Sequence, residues 1–195
     1  MRMRLYLISI WTILDPFYYA LTRLTYLDTE NPLKKSVLRV RLTKYKGRKV
    51  TLSDGTTLNK NDTMVKIHIH NVRVLREISF IKSDIKRALY LYKLVKEAMP
   101  CLAAYIDKHE LQNEIKGIIG ITLINKGYER LGFESVIIKS RIYRWFKLLS
   151  MYPIAFLSST PEISVRKKKH RMPPNYLFMS KQALLKAYGT NTSPQ

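Results

Sequence analysis

The sequence predicts a single α+β domain, or a mixed α/β one, with a small mixed sheet, several packing helices and an N-terminal hydrophobic helix. Three observations carry that expectation. Apolar and basic residues alternate over residues 37–42 and again over 64–70, the period of half-buried strands. Residues 81–99 repeat apolar side chains at three- and four-residue spacing, which marks an amphipathic helix. Residues 117–124, GIIGITLI, form a continuous apolar run that fits a buried strand. The strands and helices do not strictly alternate, and 195 residues suit one domain.

Residues 1–27 read as a hydrophobic helix with a restart at Asp15-Pro16, where Asp15 can cap and Pro16 can take the first helical position. Arg2 and Arg4 precede the apolar run 5–14, which is similar to the start of a signal peptide, but no small-x-small cleavage site follows closely. An Asp near the middle of a spanning segment costs about 3 kcal/mol, which argues against a transmembrane helix. A buried helix, or one lying on a membrane surface with Trp11, Phe17, Tyr18 and Tyr19 at the interface, fits better.

In the strand at 37–42, Leu38, Val40 and Leu42 share one face, and Arg39, Arg41 and Thr43 share the other. Eight basic residues and no acid lie between Lys34 and Lys49. They read as a solvated outer sheet face, or more sharply as an anion-binding surface on which Arg39 and Arg41 stand side by side. Residues 49–52 resume a strand, and the Asp54-Gly55 turn leads into a second β-prone run, a hairpin signal. In the strand at 64–70, Val65, Ile67 and Ile69 point inward, and Lys66, His68 and His70 outward. Residues 72–80 show weak order. Pro100 ends or kinks the helix at 81–99, and residues 101–109 continue in helical form.

Further on, 125–131 reads as a short helix closed by Gly132, 133–138 as a strand, and 140–152 as a basic, aromatic helix stopped near Pro153. Residues 158–174 are expected to be a basic loop. A strand over 176–179 precedes a helix capped by Ser180 and stopped by Gly189. The domain is thus expected to span 1–189, with 190–195 a disordered tail.

A net charge of +21, from 35 Lys and Arg against 14 Asp and Glu, calls for an anionic partner: an anionic membrane surface, an envelope polymer, or nucleic acid. The single cysteine, Cys101, excludes an intrachain disulfide and a cysteine-based zinc site, and sits in an apolar context. His68 and His70, two apart on a strand, would lie about 6.5–7 Å apart on one face. They lack further ligands at useful spacing, and Lys66 beside them disfavours a dication, so no metal is expected. Asp62, His68, His70 and Asn71 are the candidate binding residues, with Asp62 also suited to capping a turn. The anion-binding surface would comprise Arg39, Arg41, Arg141, Arg144, Lys147, Arg166, Lys167, Lys168, Lys169 and Arg171. Residues 128–135, YERLGFES, are similar to an element of Gcn5-related acetyltransferases, but the pyrophosphate-cradling loop of those enzymes is missing. No Walker loop, nucleophile elbow or zincin motif is present, no nucleophile is seen with its base, and no cofactor is expected.

The pattern Asp54-Gly55-Thr56-Thr57-Leu58, then Asn61-Asp62, then His68-Ile69-His70-Asn71 resembles the YkoP-like family of Bacillus and its relatives. Leu14-Asp15-Pro16 with Tyr18-Tyr19, Gly120-Ile121-Thr122, Arg130-Leu131-Gly132-Phe133, and Phe178-Met179-Ser180 with Leu184-Leu185 and Tyr188-Gly189 are similar as well. The resemblance spans nearly the whole chain. It implies a domain that stands alone or accompanies polysaccharide deacetylases as a noncatalytic region. The deacetylase motifs themselves are absent here. An accessory role in cell-envelope polysaccharide metabolism is what it implies; the leading expectation is a nonenzymatic or cryptically enzymatic protein acting at an anionic surface, and the single cysteine and the lack of a convincing spanning helix favour the cytoplasm or the inner face of the membrane. The rival expectations are a nucleic-acid-binding protein and a small transferase or hydrolase using His68 or His70. The oligomeric state is left open.

Overall fold

Two long strands set the frame. The β-branched and leucine-rich runs Leu38–Lys44 (β2) and Thr63–Ile69 (β5) pair antiparallel over seven residues each, from Leu38 opposite Ile69 to Lys44 opposite Thr63. A computed structural model describes residues 24–27, 36–122, 127–158 and 173–189, with Ser9, Thr12 and Ile13. Within these residues a six-stranded mixed sheet has the order β1-β2-β5-β6-β8-β7. Its other strands are Thr25–Tyr26 (β1), Ile115–Thr122 (β6), Glu134–Ile137 (β7) and Asn175–Ser180 (β8). The pairing of β5 with β6 is parallel, and those of β1, β2, β7 and β8 with their neighbours are antiparallel. The short strands Val50–Thr51 (β3) and Thr57–Leu58 (β4) form a separate hairpin.

The parallel step needs a crossover, and two helices supply it: Asn71–Ile78 (α1) and Asp84–Asp107 (α2). α1 corrects the expectation of weak order over 72–80. Its Val72, Val74, Leu75 and Ile78 are buried at helical spacing, which a continuing strand pattern does not explain. Ser83 caps α2 by accepting from the Lys86 N–H. The helix then continues past Pro100. Interior proline costs about 3 kcal/mol, yet the buried stripe Val95, Met99, Leu102, Ile106 continues across it and outweighs that cost. Arg141–Ser158 (α3) likewise passes Pro153 instead of stopping there. Lys181–Tyr188 (α4) is capped by the Ser180 hydroxyl, which accepts from the Ala183 N–H at 2.9 Å. Between β6 and β7 the expected short helix is a single 3-10 turn, Glu129–Leu131, closed by Gly132 at φ 87°.

Strand alternation divides the core in two. Val65, Ile118 and Met179 are cross-strand partners on one face and pack with α1, α2 and α4 around Val40, Leu102 and Leu184. One residue along, Lys66, Ile119 and Phe178 are partners on the opposite face. There Met64, Ile119 and Phe178 pack beneath the hairpin residues Leu52 and Leu58 and against Tyr45. Two polar anchors hold the β3–β4 hairpin on that face. Ser53 donates to Glu134 through its N–H (3.0 Å) and its hydroxyl (2.7 Å). Ser180 donates its hydroxyl to Asp54, whose carboxylate also caps the turn by accepting from the Thr56 N–H at 2.9 Å. Gly55 occupies the left-handed φ of 82° that this turn requires.

In the expected N-terminal helix, Ser9, Thr12 and Ile13 are helical, and Thr25–Tyr26 is a strand instead. Leu24 and Leu27 flank that strand and are buried; the other residues of 1–27, most of the basic loop at 158–174 and the tail at 190–195 lie outside the described residues, although Ser158 belongs to α3.

Candidate functional site

The second sheet face gathers basic and aromatic side chains. The register of β2 against β5 sets Arg41 opposite Lys66 and Arg39 opposite His68, and β1 adds Tyr26 opposite Arg39. α3 lies over the same face. Its Tyr143 ring stacks on Tyr176 of β8 at 6.3 Å between centroids, and the Lys147 ammonium sits 5.4 Å from the Tyr143 ring centre. Three elements therefore turn basic side chains toward one another on a half-buried surface.

That crowding bears on the protonation of the groups involved. Burial holds Lys66 down to about 8, with Lys147 and Arg41 adding to it. Burial, then Lys66, Arg41, Lys147 and Arg39, pushes His68 down to about 3, so its imidazole is neutral at physiological pH. Lys147 is lowered by burial and by Arg41. Burial raises the phenols of Tyr143 and Tyr176, so both remain protonated. His68 Nε2 is shielded from water and has no hydrogen-bond partner among the described residues. Glu134 and Asp54, on the adjoining part of the face, are committed to Ser53 and Ser180.

The predicted site residues divide. Arg39 is 3% exposed, so it belongs to no solvated outer face. Its guanidinium lies 4.8 Å over the Tyr26 ring and donates to the Tyr26 hydroxyl. Arg41 is half-buried. β5 ends at Ile69, so His70 stands at the N-cap of α1 and not on the strand beside His68. The His70 N–H donates to the Val37 carbonyl at 2.8 Å, and its ring meets Tyr26 edge-on at 5.8 Å. Asn71 opens α1. Asp62 closes a turn: its carboxylate accepts from the Asn59 N–H at 2.7 Å, and its carbonyl accepts from the Tyr45 N–H. Among the described residues no three His, Cys, Asp or Glu side chains converge as metal ligands would. Arg141 and Arg144 lie on α3, Arg141 exposed and Arg144 partly covered. Arg166, Lys167, Lys168, Lys169 and Arg171 fall outside the described residues.

Sequence reasoning missed two features. Lys66 counted only as an obstacle to a metal, although strict alternation already set it on the face of His68; the β2–β5 register then sets both opposite Arg41 and Arg39. The outer side of α3 is an apolar ridge, where the sequence suggests a basic and aromatic helix. Ile142, Trp145, Phe146 and Leu149 are 73%, 59%, 59% and 58% exposed. Their i, i+3, i+4, i+7 spacing is the signal that could have found it. Elsewhere, Ser53, Asp54, Glu129, Glu134 and Ser180 line an open depression of about 430 Å³, where the polar side chains are engaged in hydrogen bonds.

Comparison with known proteins agrees with the motifs. The model of the YkoP domain matches residues 4–188. The Bacillus subtilis (strain 168) protein described as "Uncharacterized protein YkoP" is 46% identical over 181 residues, covering 93% of this chain and 95% of that one. No solved structure matches. With the family pattern running from the N-terminal segment through α4, this chain belongs to the YkoP domain family.

Proposed function

We propose that this protein is a nonenzymatic accessory protein of the cell envelope that docks on an anionic phospholipid surface through the outer side of α3. The observation that carries the reading is the ridge Ile142, Trp145, Phe146 and Leu149, exposed on a helix of a chain with net charge +21. Trp and Phe favour the interface between headgroups and acyl chains. Lys139 and Arg141 are exposed beside the ridge, so basic groups would meet lipid phosphates as the apolar side chains enter. Among the described residues no helix is long and apolar enough to cross a membrane. The ridge would attach the protein from one side of the bilayer, with α3 lying along the interface.

Co-sedimentation with phosphatidylcholine vesicles, with and without phosphatidylglycerol, at physiological salt tests the reading. The expected result is binding that depends on the anionic lipid. Trp145 and Phe146 are each a little over half exposed. Sheltering that much of such a side chain contributes roughly 1 kcal/mol. The double substitution Trp145→Ala, Phe146→Ala should therefore weaken binding about 30-fold. No sedimentation of the unaltered protein, or an unchanged affinity in the double variant, overturns it. Retention on nucleic acid with a steep salt dependence, and none on vesicles, would point to a nucleic-acid-binding protein instead.

A further inference from the structure

We infer that Lys66 and His68, on the sheet face beneath α3, form a binding site for a phosphoryl group. The site is separate from the outer ridge of α3 and does not depend on it. Residues two apart on a strand project from the same face about 7 Å apart, and both side chains are half-buried, not sealed. Lys66 forms no hydrogen bond or ion pair among the described residues, and His68 Nε2 is likewise unpartnered there while shielded from water. Leaving a buried polar nitrogen without a partner destabilises the fold, and a partly buried ammonium does so more. Such groups persist where something else satisfies them.

The surroundings select the sign and the charge of that partner. Arg39 and Arg41 stand across the strand from His68 and Lys66, and Lys147 reaches in from α3. Whatever else these three cations hold, the charged groups acting on Lys66 and His68 among the described residues are positive. A dianionic tetrahedral group gains more in such a field than a single carboxylate does. It also offers several oxygens to accept from the Lys66 ammonium and from a His68 ring N–H. The same chemistry is presented by inorganic phosphate, by a soluble phosphomonoester and by the headgroup of phosphatidic acid.

Titration calorimetry of the full-length protein with inorganic phosphate, pyrophosphate and a short-chain phosphatidic acid tests the site, alongside NMR of the His68 ring. Saturable binding is expected for at least one probe, with the His68 resonances shifting in step. Lys66→Met and His68→Gln should each weaken binding tenfold or more. Melting curves check that each variant folds, and Lys66→Met alone suffices if His68→Gln does not. Response to the soluble phosphates assigns a free ligand, and response to phosphatidic acid alone assigns a lipid headgroup. Either outcome supports the inference. No saturable heat and no His68 shift with any probe overturns it, as does equal binding by Lys66→Met. Trp145→Ala with Phe146→Ala should leave phosphate binding unchanged, and Lys66→Met should leave binding to phosphatidylglycerol vesicles unchanged. The docking reading and the phosphoryl site thus fail separately.

Discussion

Acid should destabilise this protein through His68. The imidazole is held down to about 3, chiefly by burial and then by Lys66 of its own strand, Arg41 and Arg39 of β2, and Lys147 of α3. In the unfolded chain it titrates near 6.5. The folded state therefore binds fewer protons than the unfolded state between these values. A depressed folded pKa supplies stability that is fully present above about 6.5 and is lost as pH falls toward about 3. Between pH 7 and pH 5 the loss from this one residue works out at about 2 kcal/mol, a large part of a typical 5–15 kcal/mol stability. Urea denaturation at the two pH values, in phosphate-free buffer, measures it. His68→Gln keeps a polar side chain of similar reach but cannot titrate, so its acid loss should be smaller than that of the unaltered protein by that amount. An identical pH dependence in the two proteins refutes the reasoning. So does an NMR titration in which the His68 ring protonates near pH 6.5.

Lys66→Met should stabilise the apo protein at pH 7. The ammonium is held down to about 8, so its folded pKa is also depressed, and the stability tied to its neutral form is lost as pH falls from about 10.5 through 8. At pH 7 that loss is complete, and after discounting for solvent screening its removal is worth about 1–2 kcal/mol, readable as a raised urea midpoint. Gly117→Ala should destabilise. An added Cβ would stand 2.4 Å from the Met179 carbonyl oxygen and 3.1 Å from the Ser180 Cα, both backbone atoms of the neighbouring strand. Overpacking of that kind costs about 1–3 kcal/mol, and thermal melting should show it.

Much of the fold is legible in the sequence because it follows from local periods. Alternation places Leu38, Val40, Val65 and Ile67 on the core side, and the structure agrees. Ser180 and Gly132 are readable as cap and terminator because their roles are local. The errors share a cause. Pro153 reads as a stop and Pro100 as a stop or kink by their intrinsic cost, whereas burial along α2 carries the helix past Pro100. Residues 72–80 read as weakly ordered, and packing against the sheet turns Val72, Val74, Leu75 and Ile78 into the buried side of α1. The pairing of β8 between β6 and β7 brings Asn175–Ser180 next to strands some forty to sixty residues earlier, which no local pattern announces. The candidate site depends on that pairing. Lys66 and His68 can be placed on one face by counting, but the helix that covers them cannot.

α3 links the two proposals because its two sides do different work. Tyr143 and Lys147, four residues apart, turn inward over Tyr176 and the basic strand face. Ile142, Trp145, Phe146 and Leu149 span an arc of roughly 100° on the other side. A helix apolar on a second face requires a second covering, and the sheet supplies only the first. In the two proposals the inner face would present its polar nitrogens to an oxyanion, and the outer face would present its apolar area to a lipid surface. Opposite faces of one helix cannot be satisfied by the same contact, which is why a ligand at Lys66 and His68 and a membrane against Trp145 and Phe146 must be sought as separate events.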